Sequence, residues 1–374
     1  MLIFTVIEIS SMSGKRLLKS YILVLLLALA LFINILSYNK DWIEHHYSTV
    51  IFPQIAQLFR TLFGWSPVSI GDLLYLFAGI YFLVKFIRFI YQVFTRQMNK
   101  REFLRVIIKL TIILLFIYVW FNLAWGLNYN RRGMAYQLKL DVQKYSLAEL
   151  KQLDSVLLQR VNSTSASLGN LDIHQLKRNE IFNRAKEAYV HLDGALPIIQ
   201  YKRGSMKPAI WGRLGNYFGF LGYYNPFTGE SQINTTIPKY TWPFVACHEI
   251  AHQVGYAKEN EANFVGYLAA RKSTDTLLQY SAYMDMFLYA NSELYTKDSI
   301  AAKTNFKAMS PGAKKDLKEY FDFRKNTRNP IEPLINTFYH YFLKMNSQPN
   351  GLDTYNEVTG WLIAYAKKFG MEAL

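Results

Sequence analysis

Apolar side chains concentrate in three long stretches within the first 130 residues. The stretches are 21–38, 73–90 and 110–127. A helix of about 20 residues crosses a hydrocarbon core about 30 Å thick. The first stretch has no charged residue, whereas the second ends with Lys85 and Arg88, whose long side chains can reach the lipid headgroups. The pattern predicts three transmembrane helices in a lipid bilayer.

The first stretch also has a second interpretation. Lys15, Arg16 and Lys19 precede it, as basic residues precede the apolar core of a signal peptide. This stretch is longer than a usual signal core, however, and no small-x-small cleavage site follows it. An uncleaved anchor is therefore favoured. We expect residues 1–130 to form the membrane anchor and residues 131–374 to form a separate domain.

The distribution of basic residues predicts an orientation. Lys and Arg are retained on the cytoplasmic side of membrane spans. They precede the first span and are dense between the second and third, whereas the connection 39–72 has only two of them. We expect the amino terminus inside the cytoplasmic (inner) membrane and the domain outside it, although Arg131 and Arg132 weakly favour the reverse. Three aromatic residues are expected at the membrane–water interface: Trp120, Trp125 and Tyr129.

Beyond residue 130 the apolar spacing is mostly that of amphipathic helices. Ser146 and Glu149 match a capping box, in which the two side chains satisfy free backbone amides of a first turn, and a helix over 147–161 should follow. The same spacing predicts helices over 176–192, 275–295, 311–324, 332–345 and 354–369.

One segment of this domain lacks helical spacing. Gly, Asn, Pro and aromatic residues dominate 204–240, and residues 231–236 have the β-branched composition of a short strand. The predicted fold class is therefore mainly α. It consists of three transmembrane helices followed by a mostly helical domain with a short β segment.

Composition narrows the possible functions. Apolar residues make up 51% of the chain, which excludes a disordered protein. The net charge of +15 would suit a nucleic-acid ligand, but no run of five Lys or Arg and no groove-reading motif occurs, so we expect no nucleic-acid partner. The single cysteine, Cys247, excludes an internal disulfide framework and any metal site built from several cysteines.

The residues most suited to chemistry form an HExxH motif, His248 to His252. Two histidines four residues apart lie on one face of a helix, so both imidazoles can bind one ion, and Glu249 can take a proton from water there. This donor set favours a Zn2+ site over the alternative that the two histidines are an ordinary polar pair on the surface of a helix. Cys247 points about 100° away around the helix and is expected to be a small buried side chain.

A zinc hydrolase takes a third ligand from the protein and keeps a fourth position open. Up to Gly255 the sequence fits the HExxHxxGxxH pattern, but Lys258 stands at the third-histidine position. The next predicted helix begins with two carboxylates, of which Glu259 is preferred as the ligand and Glu261 is the alternative. Glu259 shares a face with Asn263, whose side chain can accept a hydrogen bond from a ligating imidazole. The other glutamate would complement the helix dipole.

These residues resemble known families. HExxH followed by Glu259-Asn-Glu-Ala-Asn263 resembles the HExxH plus ExxA(D/N) arrangement of gluzincin-type metallopeptidases, including the CaaX-processing and ImmA/IrrE types, with a shorter interval here. A wider resemblance is to a bacterial family of uncharacterised membrane proteins. Three further segments carry it: 125–129, 225–230 and 341–344. This resemblance implies a three-span anchor and a zincin-like domain, and it brings no known substrate.

The gluzincin resemblance also implies how a substrate would bind. In gluzincins an edge strand just before the HExxH helix binds the extended substrate backbone, and residues 231–236 lie in the matching place. The substrate would be a peptide or protein, with Glu249 deprotonating water and a donor stabilising the oxyanion. The candidate donors are Tyr256, Tyr339 and His340.

The leading hypothesis is therefore a membrane-anchored zinc metallopeptidase acting on envelope proteins or peptides. The alternative is a non-catalytic envelope binding or assembly protein with a degenerate zincin fold, whose aromatic segment 204–240 would form a recognition surface. A transporter subunit is disfavoured, because the predicted spans contain no acidic residue for an ion path. The sequence predicts no oligomeric state.

Overall fold

The computed structural model describes most of the chain: residues 14–169, 171–196, 199, 201–351 and 357–374. In these residues, three long apolar helices near the amino terminus precede a helical domain that contains a small three-stranded sheet. The predicted mainly α fold class with a short β segment is confirmed.

Four α-helices of twelve or more residues lie in the described amino-terminal part: α1 (Gly14–Ser37), α2 (Phe52–Phe63), α3 (Ile70–Phe94) and α4 (Lys100–Ala124). A single helical turn, Lys40–Trp42, follows α1. By length and composition, three of these four helices contain candidate membrane spans: Leu17–Ser37, Ile70–Phe94 and Lys100–Ala124. The prediction of three spans is confirmed, with one shift of boundaries. The third helix ends at Ala124 rather than at 127, because Gly126–Asn130 forms a 3₁₀ turn inside the protein.

The candidate spans differ in what covers them. α1 packs against α4, and Leu26, Ile33 and Val119 are buried in the same cluster. In α3, the described residues after Asp72 are all at least partly exposed, so its apolar side chains are available to lipid. The three helices therefore imply a lipid bilayer around the amino-terminal part of the chain.

Two aromatic residues expected at the membrane–water interface lie inside the protein. Trp125 and Tyr129 are buried, whereas Trp120 is exposed. The indole of Trp125 packs on the rings of Tyr129 and Tyr224, at centroid distances of 5.0 and 5.2 Å. Both side chains are covered by protein because the turn after α4 packs against the domain, where burial of large rings is favourable. Their depth relative to the bilayer stays a prediction.

The connection between α1 and α3 is itself folded. A nine-residue π-helix, Ile43–Ile51, runs directly into α2. Its Glu44 forms a buried ion pair with Arg131 of the domain, with 2.8 Å between Oε1 and the guanidinium nitrogen. Removing one partner of such a pair would leave a buried charge, so the connection is firmly held against the domain.

The domain contains eleven helices among the described residues: α5 (Gly133–Gln137), α6 (Leu147–Leu168), α7 (Arg178–Ala195), α8 (Gly212–Phe218), α9 (Trp242–Gln253), α10 (Glu259–Lys272), α11 (Thr276–Lys297), α12 (Ser299–Lys307), α13 (Pro311–Thr327), α14 (Glu332–Met345) and α15 (Val358–Phe369). Helices α6, α7, α9, α10, α11 and α15 share one apolar core. The predicted amphipathic helices are present, and all of them except α14 bury apolar side chains in this core.

Individual helix boundaries differ little from the predictions. α6 starts at Leu147 with the capping box of Ser146 and Glu149, and it continues seven residues beyond the predicted end, to Leu168. α14 has the predicted bounds. Residues 354–356 of the last predicted helix lie outside the described residues. α5, α8 and α12 were not predicted.

The sheet has three short strands: β1 (Met206–Pro208), β2 (Gly222–Asn225) and β3 (Glu230–Ile233). Their order is β1-β3-β2, with β1 parallel and β2 antiparallel to β3. The strand predicted over 231–236 is therefore shorter and central, and the prediction that it is a substrate-binding edge was wrong. The edge strands are β1 and β2.

Candidate metal centre

The HExxH motif lies on α9, which is buried on most of its surface. Pro243 occupies the first turn, where its missing N–H costs nothing. Cys247, Ile250 and Ala251 face the core with no exposed surface. The expectation for Cys247 as a small buried side chain is confirmed.

Helix α10 crosses α9 closely enough for its side chains to reach the motif. Gly266 makes this approach possible, because a Cβ at this position would lie 3.0 Å from the backbone nitrogen of His248. The chain reverses between the helices at Gly255, whose φ of +91° favours glycine. This turn brings the first residue of α10, Glu259, over the two histidines.

Three potential ligands converge between these helices. The Oε2 atom of Glu259 lies 3.2 Å from Nε2 of His248 and 3.6 Å from Nε2 of His252. One ligand atom from each residue lies within 4.8 Å of the others, and the group could hold a metal ion. The third position is thus occupied by Glu259, the preferred carboxylate of the sequence analysis.

Both imidazoles are fixed through their other nitrogen. Nδ1 of His248 lies 2.7 Å from Oδ1 of Asn263, and Nδ1 of His252 lies 2.8 Å from the carbonyl oxygen of Tyr256. Acceptors at Nδ1 leave Nε2 free to face a metal, which is the usual arrangement around a ligating histidine. Asn263 therefore lies where a residue orienting His248 is required.

The remaining oxygen of Glu259 is held as well. The hydroxyl of Tyr339 donates to Oε1 over 3.0 Å, and the backbone amide of Glu259 donates to Gln348 over 3.0 Å. Tyr339 thereby orients the carboxylate. Local sequence patterns do not indicate this contact, because Tyr339 lies 80 residues further along the chain, on α14.

Glu261 points away from the histidines. Its carboxylate packs against Gly133, where there is no room for a Cβ, and lies 3.9 Å from Nζ of Lys258. Burial raises the pKa of Glu261. This glutamate is therefore placed between α10 and α5, outside the group of three ligands.

Comparison with known proteins assigns a family to the chain. The model of a family described as proteins of unknown function, DUF3810, matches residues 47–363. The chain belongs to the DUF3810 family. A search of curated proteins finds no match, and a search of solved structures finds none either. The matched region of this DUF3810 protein includes the folded connection, α3, α4 and the candidate metal centre.

Glu249 of the DUF3810 protein lies beside the three ligands, against β2. A Cβ at Gly222 would lie 2.7 Å from Oε1 of Glu249, so the strand can approach the carboxylate only without a side chain there. The Oε2 atom of Glu249 is buried and has no hydrogen-bond partner in the part of the chain that the structure describes. Burial raises the pKa of Glu249 to about 7. A carboxylate of this pKa can exchange protons near neutral pH.

The electrostatics of the group depend on Glu259. Burial alone would lower the pKa of His252, but the hydrogen bond and charge of Glu259 raise it to about 9. Burial alone would raise the pKa of Glu259, but its hydrogen bonds with His248 and His252 hold it well below its usual value. Without a metal, a proton therefore stays between these groups, and a divalent cation would replace it.

The group opens into a cavity of about 570 Å³ in the DUF3810 protein. Its walls include β2 and many aromatic side chains, among them Trp125, Tyr129, Tyr223, Tyr224, Tyr289 and Tyr339. Asp285 adds a carboxyl group, whose removal from water raises its pKa to about 7. The size is within the range of ligand-binding pockets, about 300–1,000 Å³.

The candidate oxyanion donors are placed differently. Tyr339 lines the cavity. The hydroxyl of Tyr256 donates to Gln137 over 2.7 Å, and its ring lies under the guanidinium of Arg131, away from the cavity. His340 is not among the residues that line the cavity.

Two residues beside the site were missed by sequence reasoning. The indole Nε1 of Trp125 donates to the carbonyl oxygen of His252 over 3.2 Å, and the guanidinium of Arg60 donates to the carbonyl oxygen of Gln253 over 3.1 Å. Arg60 thereby satisfies the carbonyl of Gln253 at the end of α9, and Trp125 adds a donor to the carbonyl of His252, which also accepts from the amide of Gly255. The sequence did contain one signal for the contact of Arg60 with Gln253: Arg60 is a charged residue that interrupts an apolar pattern in the 39–72 connection.

Proposed function

We propose that this DUF3810 protein is a membrane-anchored zinc metallopeptidase that hydrolyses peptide bonds in envelope proteins or peptides. One observation carries the proposal. Oε2 of Glu259 faces Nε2 of both His248 and His252, while Glu249, whose buried Oε2 has no hydrogen-bond partner among the described residues, stands beside them in the wall of the cavity. This arrangement supplies a metal site, a base and space for a substrate.

The donor chemistry fits zinc. Two imidazole nitrogens and one carboxylate oxygen form a donor set found in catalytic zinc sites, whereas Mg2+ and Ca2+ prefer oxygen donors alone. The acceptors at both Nδ1 atoms present Nε2 in the form that binds a metal. When bound, the ion would polarise a peptide carbonyl and lower the pKa of a water molecule.

The side chains around the site have distinct roles in this proposal. Glu249 accepts a proton from the attacking water and delivers it to the leaving amine, which its raised pKa permits near neutral pH. Tyr339 and Asn263 hold Glu259 and His248 in position. The free edge of β2 offers backbone groups to an extended peptide, a form of strand addition.

We also propose an orientation for the membrane anchor. The folded connection after α1 and the turn after α4 both contact the domain, through Glu44 and Trp125, so they share one side of the bilayer with it. The basic segment between α3 and α4 lies at the opposite ends of these helices. The positive-inside rule therefore favours a cytoplasmic amino terminus and a domain outside the inner membrane.

We further propose that residues 1–130 anchor the chain in the membrane and that residues 131–374 form the domain outside it. Residues 1–130 contain the spans and residues 131–374 contain the ligands. The two parts are not separate in packing, because residues 40–72 contact the domain through buried polar groups. A truncated domain is therefore expected to be less stable than the full chain.

The decisive experiment compares two glutamates on the same helix. Full-length protein is purified in detergent, loaded with zinc and assayed for bound metal and for cleavage of a peptide library. Glu259→Gln is expected to lose metal and activity, whereas Glu261→Gln, which changes a buried carboxylate two residues further along the helix, keeps both. Glu249→Gln is expected to keep the metal and lose activity by about 10²–10⁴-fold.

The outcomes separate the candidate functions. Wild-type protein that binds no zinc, or a Glu259→Gln variant that binds it as tightly as wild type, would contradict the proposed site. Zinc binding without cleavage of any peptide would favour the non-catalytic envelope binding role. Cleavage that persists in Glu249→Gln would show that another group activates water.

A further inference from the structure

The candidate metal centre lies at the membrane end of the domain. Trp125, the residue after α4, donates to the carbonyl oxygen of His252 over 3.2 Å. At the start of α3, the backbone amides of Ile70 and Gly71 donate to the carboxylate of Glu230 over 3.2 and 2.6 Å. Glu230 belongs to β3, which packs against α9. The ends of two candidate spans therefore hold the HExxH helix.

The cavity extends to the spans themselves. Tyr75 of α3 and Phe121 of α4 line the same cavity as His248 and Glu249. Each 25-residue helix is about 37 Å long, so about 4 Å extends beyond each side of a 30 Å hydrocarbon core. Tyr75 lies about 8 Å along α3 and Phe121 about 5 Å from the end of α4. The cavity wall therefore reaches the level where the hydrocarbon begins.

Helix α14 borders the cavity and carries a second apolar face, which the described residues leave exposed. Ile335, Tyr339 and Phe342 line the cavity. On the outer side Leu334 and Phe338 are 57% and 69% exposed. The exposed apolar residues recur every three or four positions: Ile331, Leu334, Phe338, Tyr341 and Met345. Such a continuous apolar stripe in water is unfavourable and is typical of a helix that lies on a membrane.

Contacts join this stripe to the ends of the spans. Ser347, just after α14, donates to Asn130, which follows α4, over 2.8 Å. On the other side, Asn329 donates to the carbonyl of Tyr217 in α8 over 2.6 Å. α8 is preceded by Ile210, whose amide donates to Asp72 at the start of α3 over 2.8 Å.

Exposed side chains complete this surface, which we call the apolar rim: Ile210, Trp211, Leu214, Tyr217, Ile331, Leu334, Phe338, Tyr341 and Met345. Arg213, Arg328 and Lys344 lie among these residues in sequence and are exposed. Basic side chains beside apolar ones suit anionic headgroups. Because the spans place the domain at a bilayer, the bilayer surface is the occupant that fits the rim.

We infer that the apolar rim rests in the bilayer surface and that the cavity receives its substrate from the membrane. The substrate would be a polypeptide with an apolar anchor, either an acyl chain or a transmembrane segment, cleaved within a few residues of that anchor. The distance between His252 and Trp125 sets this limit, because the metal centre is joined directly to the end of α4. The inference rests on the proposed peptidase function.

Contact of the rim with lipid can be measured without catalysis. Single cysteines at Leu334 or Phe338 are labelled with a fluorophore in full-length protein in liposomes, where the native Cys247 is buried and unreactive. Ile300→Cys is the matched control, since Ile300 is an apolar side chain that is 78% exposed on α12. Spin-labelled lipid is expected to quench the two rim positions several-fold more than position 300. Equal quenching would overturn the rim assignment.

Substrate entry is tested with one fluorogenic peptide in three forms in liposomes: acylated, fused to a transmembrane helix, and without an anchor. The readout is the cleavage rate of each anchored form divided by that of the free form. This ratio is expected to fall several-fold in the double variant Leu334→Gln with Phe338→Gln. The ratio should not change in Ile300→Gln, because this variant leaves the rim intact. The anchored substrate is concentrated at the membrane to the same extent with both variants.

Each outcome has a defined meaning. A fall for only one anchored form identifies that anchor as the source. If the free peptide is cleaved but the ratio is the same in the rim variant as in wild type, the inference is overturned. The proposed peptidase function is then unaffected. If zinc-loaded protein cleaves none of the three forms, the proposed function fails, and the substrate inference fails with it.

Discussion

The indole of Trp125 donates a hydrogen bond of 3.2 Å to the carbonyl oxygen of His252, and its ring lies 6.0 Å from that imidazole. One residue thus joins the end of a candidate membrane span to a potential metal ligand. The indole is an additional donor to this carbonyl at the end of α9, which also accepts from the backbone amide of Gly255 over 3.1 Å. Displacement of α4 in the bilayer would therefore also shift the backbone of His252 in the metal centre.

This contact predicts different costs for two substitutions of Trp125. Trp125→Phe keeps a buried ring but loses the donor, which is expected to cost about 0.5–1.5 kcal/mol in free energy of unfolding. Trp125→Ala also leaves a cavity and is expected to cost about 3–5 kcal/mol. Thermal unfolding in detergent measures both. Trp120→Phe, at an exposed tryptophan of α4, is the control and should change little; equal losses at both positions would contradict the prediction.

A second prediction concerns the contact between Gly222 and Glu249. The Cβ of Gly222→Ala would lie 2.7 Å from Oε1 of Glu249 and 3.0 Å from the carbonyl oxygen of Gln232, so the carboxylate must move. We expect peptidase activity to fall by at least about tenfold, since general base catalysis contributes about 10²–10⁴-fold. Zinc content should be unchanged.

Gly215→Ala is the matched control for this variant. Gly215 lies in α8, and the nearest atoms to an added Cβ there are 3.7 Å away, an ordinary contact. Its activity should equal that of wild type. Wild-type activity in Gly222→Ala, or loss of zinc with the activity, would show that Gly222 does not act by positioning Glu249.

The acceptor behind His248 leads to a third prediction. Asn263→Ala removes the oxygen that lies 2.7 Å from Nδ1, and the affinity for zinc is expected to fall by about 10–100-fold. Asn263→Asp keeps an acceptor and should retain most of the affinity. Competition with a chelator of known affinity measures both. An Asn263→Ala variant that binds zinc as tightly as wild type would contradict an orienting role.

Local patterns in the sequence account for much of this structure. Helical periodicity predicted α6 and α14 because each has an apolar face that the fold or a membrane can cover. The same periodicity put Glu259 and Asn263 on one face of a helix, and the structure has both side chains beside His248. Their function stays a prediction, because position alone does not establish catalysis.

Contacts between distant segments were beyond the reach of periodicity. Arg60 contacts Gln253, 193 residues away, and Trp125 contacts His252, 127 residues away. Nothing in a local pattern pairs such residues. The sheet order was missed for a related reason: β1 and β2 have only three and four residues, too few for alternation to be recognised.

The last prediction concerns the pH dependence of stability. Removal from water raises the pKa of Asp285 from 3.8 to about 7, so the native protein holds a proton that the unfolded chain releases. Stability from this group is therefore present below about pH 4 and is lost as the pH rises to about 7. Asp285→Asn keeps a neutral side chain and should remove this dependence. Its stabilisation should be small at pH 4 and reach a few kcal/mol at pH 8, since one pKa unit is about 1.4 kcal/mol. Thermal unfolding with a chelator measures the difference, and an equal effect at both pH values would contradict a raised pKa for Asp285.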